Sequence, residues 1–391
     1  MNASILFWLS SFSLFWLLIT SLVLIRNRYS LTQLSSSKNQ HSSGQKISVC
    51  IPARNEEAVL ERLLQSVCIQ KYPDFEVIVL DDNSDDNTPQ IIDEYKKSFP
   101  GIITRLKGKP KPKGWLGKPW ACHQLSEEAG GNILLFLDAD TCISPGMLAG
   151  IDFEISDKQL DMITVWPDQH LTGFWQQTVL PLIYYALVTL LPSVYVYRDP
   201  RWMPTIFAKK FSPLFAAACG QCIGFTKEAY KKTGGHAAVK SAVVEDVELA
   251  KLAKKKLQKL RMYTGRGSIS CTMYNSAQEM FSGFRKNFLA GFGNSLPLFF
   301  SAAILHLIVF VLPFFAVVHA WLTLDRPLFF MAASSVTLIL FHRLILAIWF
   351  SWNPIYALTH PLGVLWFQWL GLVKITDHLS GRKVLWKGRK V

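Results

Sequence analysis

Two apolar runs each end in a cluster of carboxylates, and this pattern limits the chain to a small set of folds. Val77-Ile78-Val79-Leu80 runs into Asp81-Asp82-Asn83-Ser84-Asp85-Asp86, and Ile133-Leu134-Leu135-Phe136-Leu137 runs into Asp138-Ala139-Asp140. Unbroken apolar runs of this length read as strands buried on both faces, as in a parallel sheet flanked by helices. The carboxylates then leave the carboxyl ends of their strands, where open α/β sheets bind ligands. The chain carries a net charge of +13, so acids gathered on one sheet edge need a reason. The simplest is a divalent cation carrying a diphosphate.

The flanking pattern agrees. Residues 46–51 read as a first strand, 57–70 as a helix with apolar spacing at Val59, Leu60, Leu63, Leu64 and Val67, and 75–80 as the next strand, which makes a βαβ unit. Thr88 is placed to cap a second helix, residues 102–106 form a third strand, 107–117 a loop, and Pro119 suits the first turn of a helix to about residue 129. This is a doubly wound nucleotide-binding half, yet neither G-x-G-x-x-G nor a P-loop is present. Further on, Gly234-Gly235-His236 reads as a turn, and Glu245-Asp246 opens a helix with its acids in the favourable first turn.

Residues 5–25 are uncharged and long enough to span a bilayer. Arg26 and Arg28 follow, so the positive-inside rule puts the chain beyond them in the cytoplasm. Three more apolar stretches cover 298–324, 328–350 and 355–373, and the tail carries Arg382, Lys383, Lys387, Arg389 and Lys390. A cytoplasmic tail requires an even number of crossings after the α/β domain. The last stretch, with Pro354 before it and His360-Pro361 inside it, is therefore expected to be re-entrant or interfacial. Residues 174–197, with Pro181 and Pro192, are expected to lie amphipathically at the interface. The resulting plan is an anchor (1–28), a Ser-, Asn- and Gln-rich linker (29–45), a cytoplasmic domain (46–290), membrane segments (298–375) and a basic tail (376–391). The basic stretches 107–118 and 251–261 suit an anionic leaflet better than nucleic acid. Cys219-Gly220-Gln221-Cys222 is a lone C-x-x-C, read as small buried residues beside a turn.

Six motifs occur in one order over 46–290: Ile51-Pro52-Ala53-Arg54-Asn55-Glu56, the acidic cluster from Asp81 to Thr88, Gly117-Lys118, Asp138-Ala139-Asp140, Gly220-Gln221-Cys222-Ile223-Gly224-Phe225, and Glu245-Asp246. Together they resemble the family-2 glycosyltransferases, membrane-associated inverting enzymes with the nucleotide-diphospho-sugar transferase (family-A glycosyltransferase) fold. Gly114-Trp115-Leu116-Gly117-Lys118-Pro119-Trp120 and the tail Trp386-Lys387-Gly388-Arg389 are similar to members acting in carotenoid and hopanoid pathways.

The resemblance implies a UDP-sugar donor, a Mg2+ or Mn2+ ion, and a lipid acceptor at the cell membrane. It makes Asp140 the direct metal ligand, with Asp138 nearer the ribose or a metal-bound water. Asp82 reads the uracil, Pro52, Ala53 and Glu56 line the same donor pocket, and Lys118 holds anions at a helix start. Asp246 is the catalytic base and Glu245 orients it. Gly220, Gln221, His236 and Arg285 fall on the acceptor side. Processive members carry Q-x-x-R-W, whereas Ser282-Gly283-Phe284-Arg285-Lys286 supplies only the Arg. That favours transfer of a single sugar, likened to glucose, over a polysaccharide synthase, with a polyprenyl-phosphate sugar transferase as the other alternative.

Overall fold

The computed structural model describes residues 3–34, 43–293, 295–380, 385–386 and 389–390. In chain order these form α1 (Ala3–Ser30), β1 (Ile47–Ala53), α2 (Leu60–Cys68), β2 (Phe75–Asp81), α3 (Thr88–Ser98), β3 (Ile103–Lys107), α4 (Gly117–Glu128), β4 (Ile133–Leu137), β5 (Thr141–Ile143), α5 (Met147–Asp157), β6 (Met162–Trp166) and β7 (Asp168–Gln169). There follow α6 (Phe174–Leu190), α7 (Val194–Tyr197), α8 (Thr205–Phe211), β8 (Cys222–Thr226), α9 (Lys227–Thr233), α10 (Gly235–Ala238), α11 (Glu245–Lys255), β9 (Leu260–Thr264) and β10 (Ile269–Cys271). The last part holds α12 (Ala277–Asn287), α13 (Leu296–Phe310), α14 (Leu312–Thr323), α15 (Arg326–Phe350) and α16 (His360–Leu379). The chain divides into an α/β unit, Ser30–His170 with Ser193–Met273, and a helical unit, Met1–Tyr29, Leu171–Pro192 and Tyr274–Val391.

In the α/β unit a seven-stranded sheet runs β3-β2-β1-β4-β8-β6-β9. The first four strands are parallel, as their apolar runs require, and β8 lies antiparallel between β4 and β6. Val49, Ile51, Val77, Val79, Ile133, Leu135 and Leu137 are fully buried against Leu60, Leu63, Leu64 and Val67 of α2. Burial of this kind stabilises by roughly 1.5–3 kcal/mol per side chain. Gly131 is forced by close approach, since a Cβ there would meet Lys46 O and Ser48 N at 2.7 Å. Thr88 does not cap α3. Its hydroxyl, at the first helical residue, instead accepts from Glu56 N at 2.8 Å, because the Asp86 carboxylate already takes Thr88 N at 3.0 Å.

The expected linker starts as ordered structure. Leu34 N donates to Thr264 O at 2.9 Å, Thr264 N donates to Thr32 O at 2.9 Å, and Leu34 is fully buried in the α/β core. Leu34 is apolar and β9 has an open edge, so the chain pairs there. Residues 35–42 of that stretch lie outside those described, as does much of the 376–391 tail.

In the helical unit, Leu6 packs among Ala316, Ala320, Leu328 and Ala332. Ser13 Oγ donates to Val309 O at 2.8 Å. Small residues and hydroxyls at such contacts are typical of helices packed in lipid. Among the described residues three helical segments are long and apolar enough to cross a membrane: Ala3–Ser30, Leu296–Thr323 (α13 with α14) and Arg326–Phe350. The segment expected at the interface splits. Its helix α6 belongs to the helical unit, where Asn27 Nδ2 donates to Val188 O and Leu191 O at 2.8 and 2.7 Å. Tyr184 meets Phe350 and Trp352 edge-on, and Gly363 lets α16 reach Thr178. A helix buried on so many sides has no polar face to offer solvent. The α/β domain also stops earlier than 290, because Tyr274 onward, including α12, belongs to the helical unit.

Candidate active site

The carboxyl ends of β1, β2 and β4 carry the site. After β1 and β2 the two loops are tied together: Asp82 N donates to Ala53 O at 2.8 Å, Asn55 N to Ser84 Oγ at 3.1 Å, and Asp85 N to Asn55 Oδ1 at 2.9 Å. Asn55 and Asn83 adopt positive φ of 53° and 54°, a conformation asparagine tolerates. Arg54 reaches across to the carbonyls of Asp82 and Asn83. Ala53 and Asp82 are buried, with Pro52 and Glu56 half-buried beside them. Asp81 faces inward, where Arg105 (3.1 Å) and Ser84 N (2.9 Å) satisfy it.

Around β4 the sequence-distant pieces converge. Lys118, in the first turn of α4, places Nζ 2.7 Å from Asp138 Oδ1, 3.3 Å from Glu245 Oε1 and 3.3 Å from Gly220 O. Burial would lower this amine, but the Asp138 and Glu245 carboxylates outweigh it and hold it well above its usual range. Lys118 thus bridges two acids. Asp246 Oδ2 accepts from Gly220 N at 2.7 Å, and its Oδ1 from Val247 N at 2.8 Å. Burial, and after it the neighbouring Glu245, push Asp246 up to about 6. A Cβ on Gly220 would stand 3.0 Å from Lys118 Nζ and 3.3 Å from Asp246 Oδ2, so the backbone approaches closely here.

Asp140 is the second perturbed acid. Its Oδ1 is buried with no hydrogen-bond partner, and burial, then the Asp138 charge, push it up to about 7. Behind it Gln221 Nε2 donates to Cys271 Sγ at 2.8 Å, and Gln169 Nε2 donates to Gln221 Oε1 at 3.0 Å. Gln221 is therefore engaged below the acids, while its carbonyl receives Asp138 N at 3.2 Å. Cys271 and Gln169 were not readable in advance: they reach Asp140 and Gln221 from strands distant in sequence, and no local motif marks them.

Two expected acceptor residues are engaged by other groups. His236 is buried against Phe136 and Tyr230, with Nδ1 2.7 Å from Tyr230 Oη, and burial pushes the imidazole down to about 3. It is a packing group, because Gly234-Gly235 turns it inward. Arg285 lies in the helical unit, its guanidinium forked onto Asp377 at 2.6 and 2.5 Å. Cys219 and Cys222 are free thiols, pushed up by burial.

Residues 48–234 match the family model described as glycosyl transferase family 2. The chain carries a family-2 glycosyltransferase domain, and it is a glycosyltransferase. The 4,4'-diaponeurosporenoate glycosyltransferase of Staphylococcus haemolyticus (strain JCSC1435) is 26% identical over 72% of this chain and 70% of that protein. The protein of the same name from Staphylococcus aureus (strain bovine RF122 / ET3-1) is 26% identical over 73% and 71%. Among solved structures, the mannosyltransferase PcManGT from Pyrobaculum calidifontis, in complex with GDP-Man and Mn2+, aligns over 96% of this chain and 99% of its own, with a TM-score of 0.55 and 15% identity. This likeness speaks for the fold, and the glycosyltransferase has the family-A architecture.

The donor set of this glycosyltransferase suits a hard divalent cation. Asp140 presents a buried carboxylate oxygen that no described residue satisfies, and Asp138 stands two residues away. Among the described residues no group of three or more His, Cys, Asp or Glu side chains converges as a closed metal cage. One or two carboxylates with the remaining positions left to phosphates and water is how Mg2+ is commonly held.

Proposed function

We propose that this glycosyltransferase moves a single hexose from a UDP-sugar to a membrane lipid with inversion, and that the acceptor is a carotenoid or another terpenoid. The observation that carries the reading is the juxtaposition of the unsatisfied Asp140 oxygen, the Lys118 bridge and the backbone-held Asp246 on one sheet edge. The relatives named for diaponeurosporenoate supply the acceptor class, and the three candidate spans suit a lipid that stays in the bilayer. The catalytic unit is assigned to the cytoplasm on Arg26 and Arg28 at the C-terminal end of α1.

Asp140, with Asp138, would hold Mg2+ or Mn2+, which supplies charge neutralisation for the departing diphosphate. Asp82 and Ala53 bind the base end of the donor, in a pocket closed by the loops after β1 and β2. Lys118 keeps Asp138 and Glu245 in place and offsets their charge. Asp246 takes the proton of an attacking hydroxyl. Its two backbone donors fix the carboxylate plane, and its raised affinity for protons makes it a stronger base than a solvated aspartate.

The test uses membranes containing the full-length protein, labelled UDP-glucose, Mn2+ and a lipid extract, with Asp140→Ala beside it and GDP-mannose as the competing donor. Label entering the organic phase only with the intact protein is the expected result. Label in insoluble carbohydrate identifies a synthase instead, and transfer from GDP-mannose alone overturns the uridine reading.

A further inference from the structure

Arg343 is an arginine inside α15, a helix apolar enough to span a membrane, and it is only 4% exposed. One arm of its guanidinium donates to Tyr356 O at 3.1 Å, while the other nitrogen, NH1, is buried with no hydrogen-bond partner. Arg343 lines a small cavity within the helical unit together with Gln177, Ala347, Trp352, Asn353 and Tyr356. The salt bridges among the described residues include none to Arg343. A guanidinium left so in a membrane helix is costly, and such residues mark binding sites more often than packing.

The cavity sits at an end of the helical unit suited to head groups. Trp352 and Tyr356 are the amphipathic rings that settle at a membrane–water boundary. Trp349, the next-to-last residue of α15, lies under the Arg28 guanidinium at 5.6 Å, so this is the end of the unit that carries the basic exit of α1. A planar guanidinium fork with the Gln177 and Asn353 amides nearby matches an oxyanion.

We infer that this cavity receives the anionic head, carboxylate or phosphate, of a membrane amphiphile whose tail lies along the helices. Every residue lining the cavity belongs to the helical unit, and the inference stands whatever the sugar acceptor is.

The full-length protein in neutral detergent is titrated with parinaric acid, a fluorescent polyene carboxylic acid, and with its methyl ester. The acid should bind saturably and at least roughly tenfold more tightly than the ester, the scale of a charge-assisted hydrogen bond. Arg343→Gln should remove that preference. Ala347→Leu, which fills the cavity and keeps the arginine, should weaken the acid as well, and it guards against an effect of Arg343→Gln on folding alone. Displacement by palmitate identifies a single-chain carboxylate as the occupant, and stronger displacement by phosphatidylglycerol identifies a phosphodiester head; both support the site. Equal binding of acid and ester, acid binding unchanged in both variants, or displacement by neither competitor would overturn it and leave NH1 to a buried water.

Discussion

Asp246 receives two backbone N–H groups, one on each oxygen, and is still pushed up to about 6. A base that is protonated below that value cannot accept a proton there, so transfer to an alcohol should fall roughly tenfold per pH unit below about pH 6. A carboxylic-acid acceptor is ionised already near pH ~4 and needs no base. Its transfer should lack this acid limb down to about pH 5, and Asp246→Asn should harm the alcohol reaction far more than the carboxylate reaction. Both acceptors are measured on the same variant, so the hydrogen bond that Asn loses affects the two alike, and equal losses would sink the assignment. Lys118 gives a second prediction at this scale. Lys118→Met leaves Asp138 and Glu245 without their shared cation. The expected result is lost donor binding by calorimetry with a stability loss of about 1–2 kcal/mol, modest because the lysine side chain is partly exposed.

At the scale of elements, the buried Leu34 side chain and two ladder bonds, from Leu34 N and onto Thr32 O, fasten the chain to the free edge of β9. Leu34→Ala should cost about 2–4 kcal/mol by the cavity it leaves, read as earlier unfolding and faster proteolysis of the α/β unit. This strap was illegible because two leucines three apart in a polar, Ser-rich stretch, Leu31 and Leu34, do not alternate as a strand would. The strands β1, β2 and β4 and the acids at their ends were legible, since buried parallel strands write themselves as continuous apolar runs. The six motifs placed Asp138, Asp140, Lys118, Glu245 and Asp246 in order, and the structure brings Lys118 onto both Asp138 and Glu245. The turning of β8 against β4 was not legible, because antiparallel insertion leaves no mark in a short apolar strand. The same holds for the inward turn of His236 and for the pairing of Arg285 with Asp377, which are tertiary facts: one depends on Tyr230 and Phe136, the other on a helix ninety-two positions away. The partners of α6 were illegible for a related reason. Its composition fits an interfacial helix, and only the partners Asn27, Phe350 and Gly363 show that it is buried among other helices.

At the scale of the whole molecule, the helical unit is assembled from three separated stretches of chain, and the α/β unit from two. A truncation that keeps 30–273 still carries α6, stripped of α1, α15 and α16. Such a protein is expected to aggregate, whereas the same truncation with 171–192 replaced by a flexible linker should stay monodisperse in size-exclusion chromatography; equal behaviour of the two would count against the division drawn here. Full-length protein should remain in the membrane fraction after alkaline carbonate washing, as three candidate spans require. The interruption of the α/β unit by Leu171–Pro192 also has a consequence for synthesis. The ribosome releases α6 before β8, β9 and every C-terminal helix, so this apolar segment must wait, with only α1 of its helical partners made, while the sheet it interrupts is still being completed. The nascent chain therefore has a period in which neither unit can close, and the length of that wait sets how much the protein depends on the insertion machinery and on chaperones to reach the membrane intact.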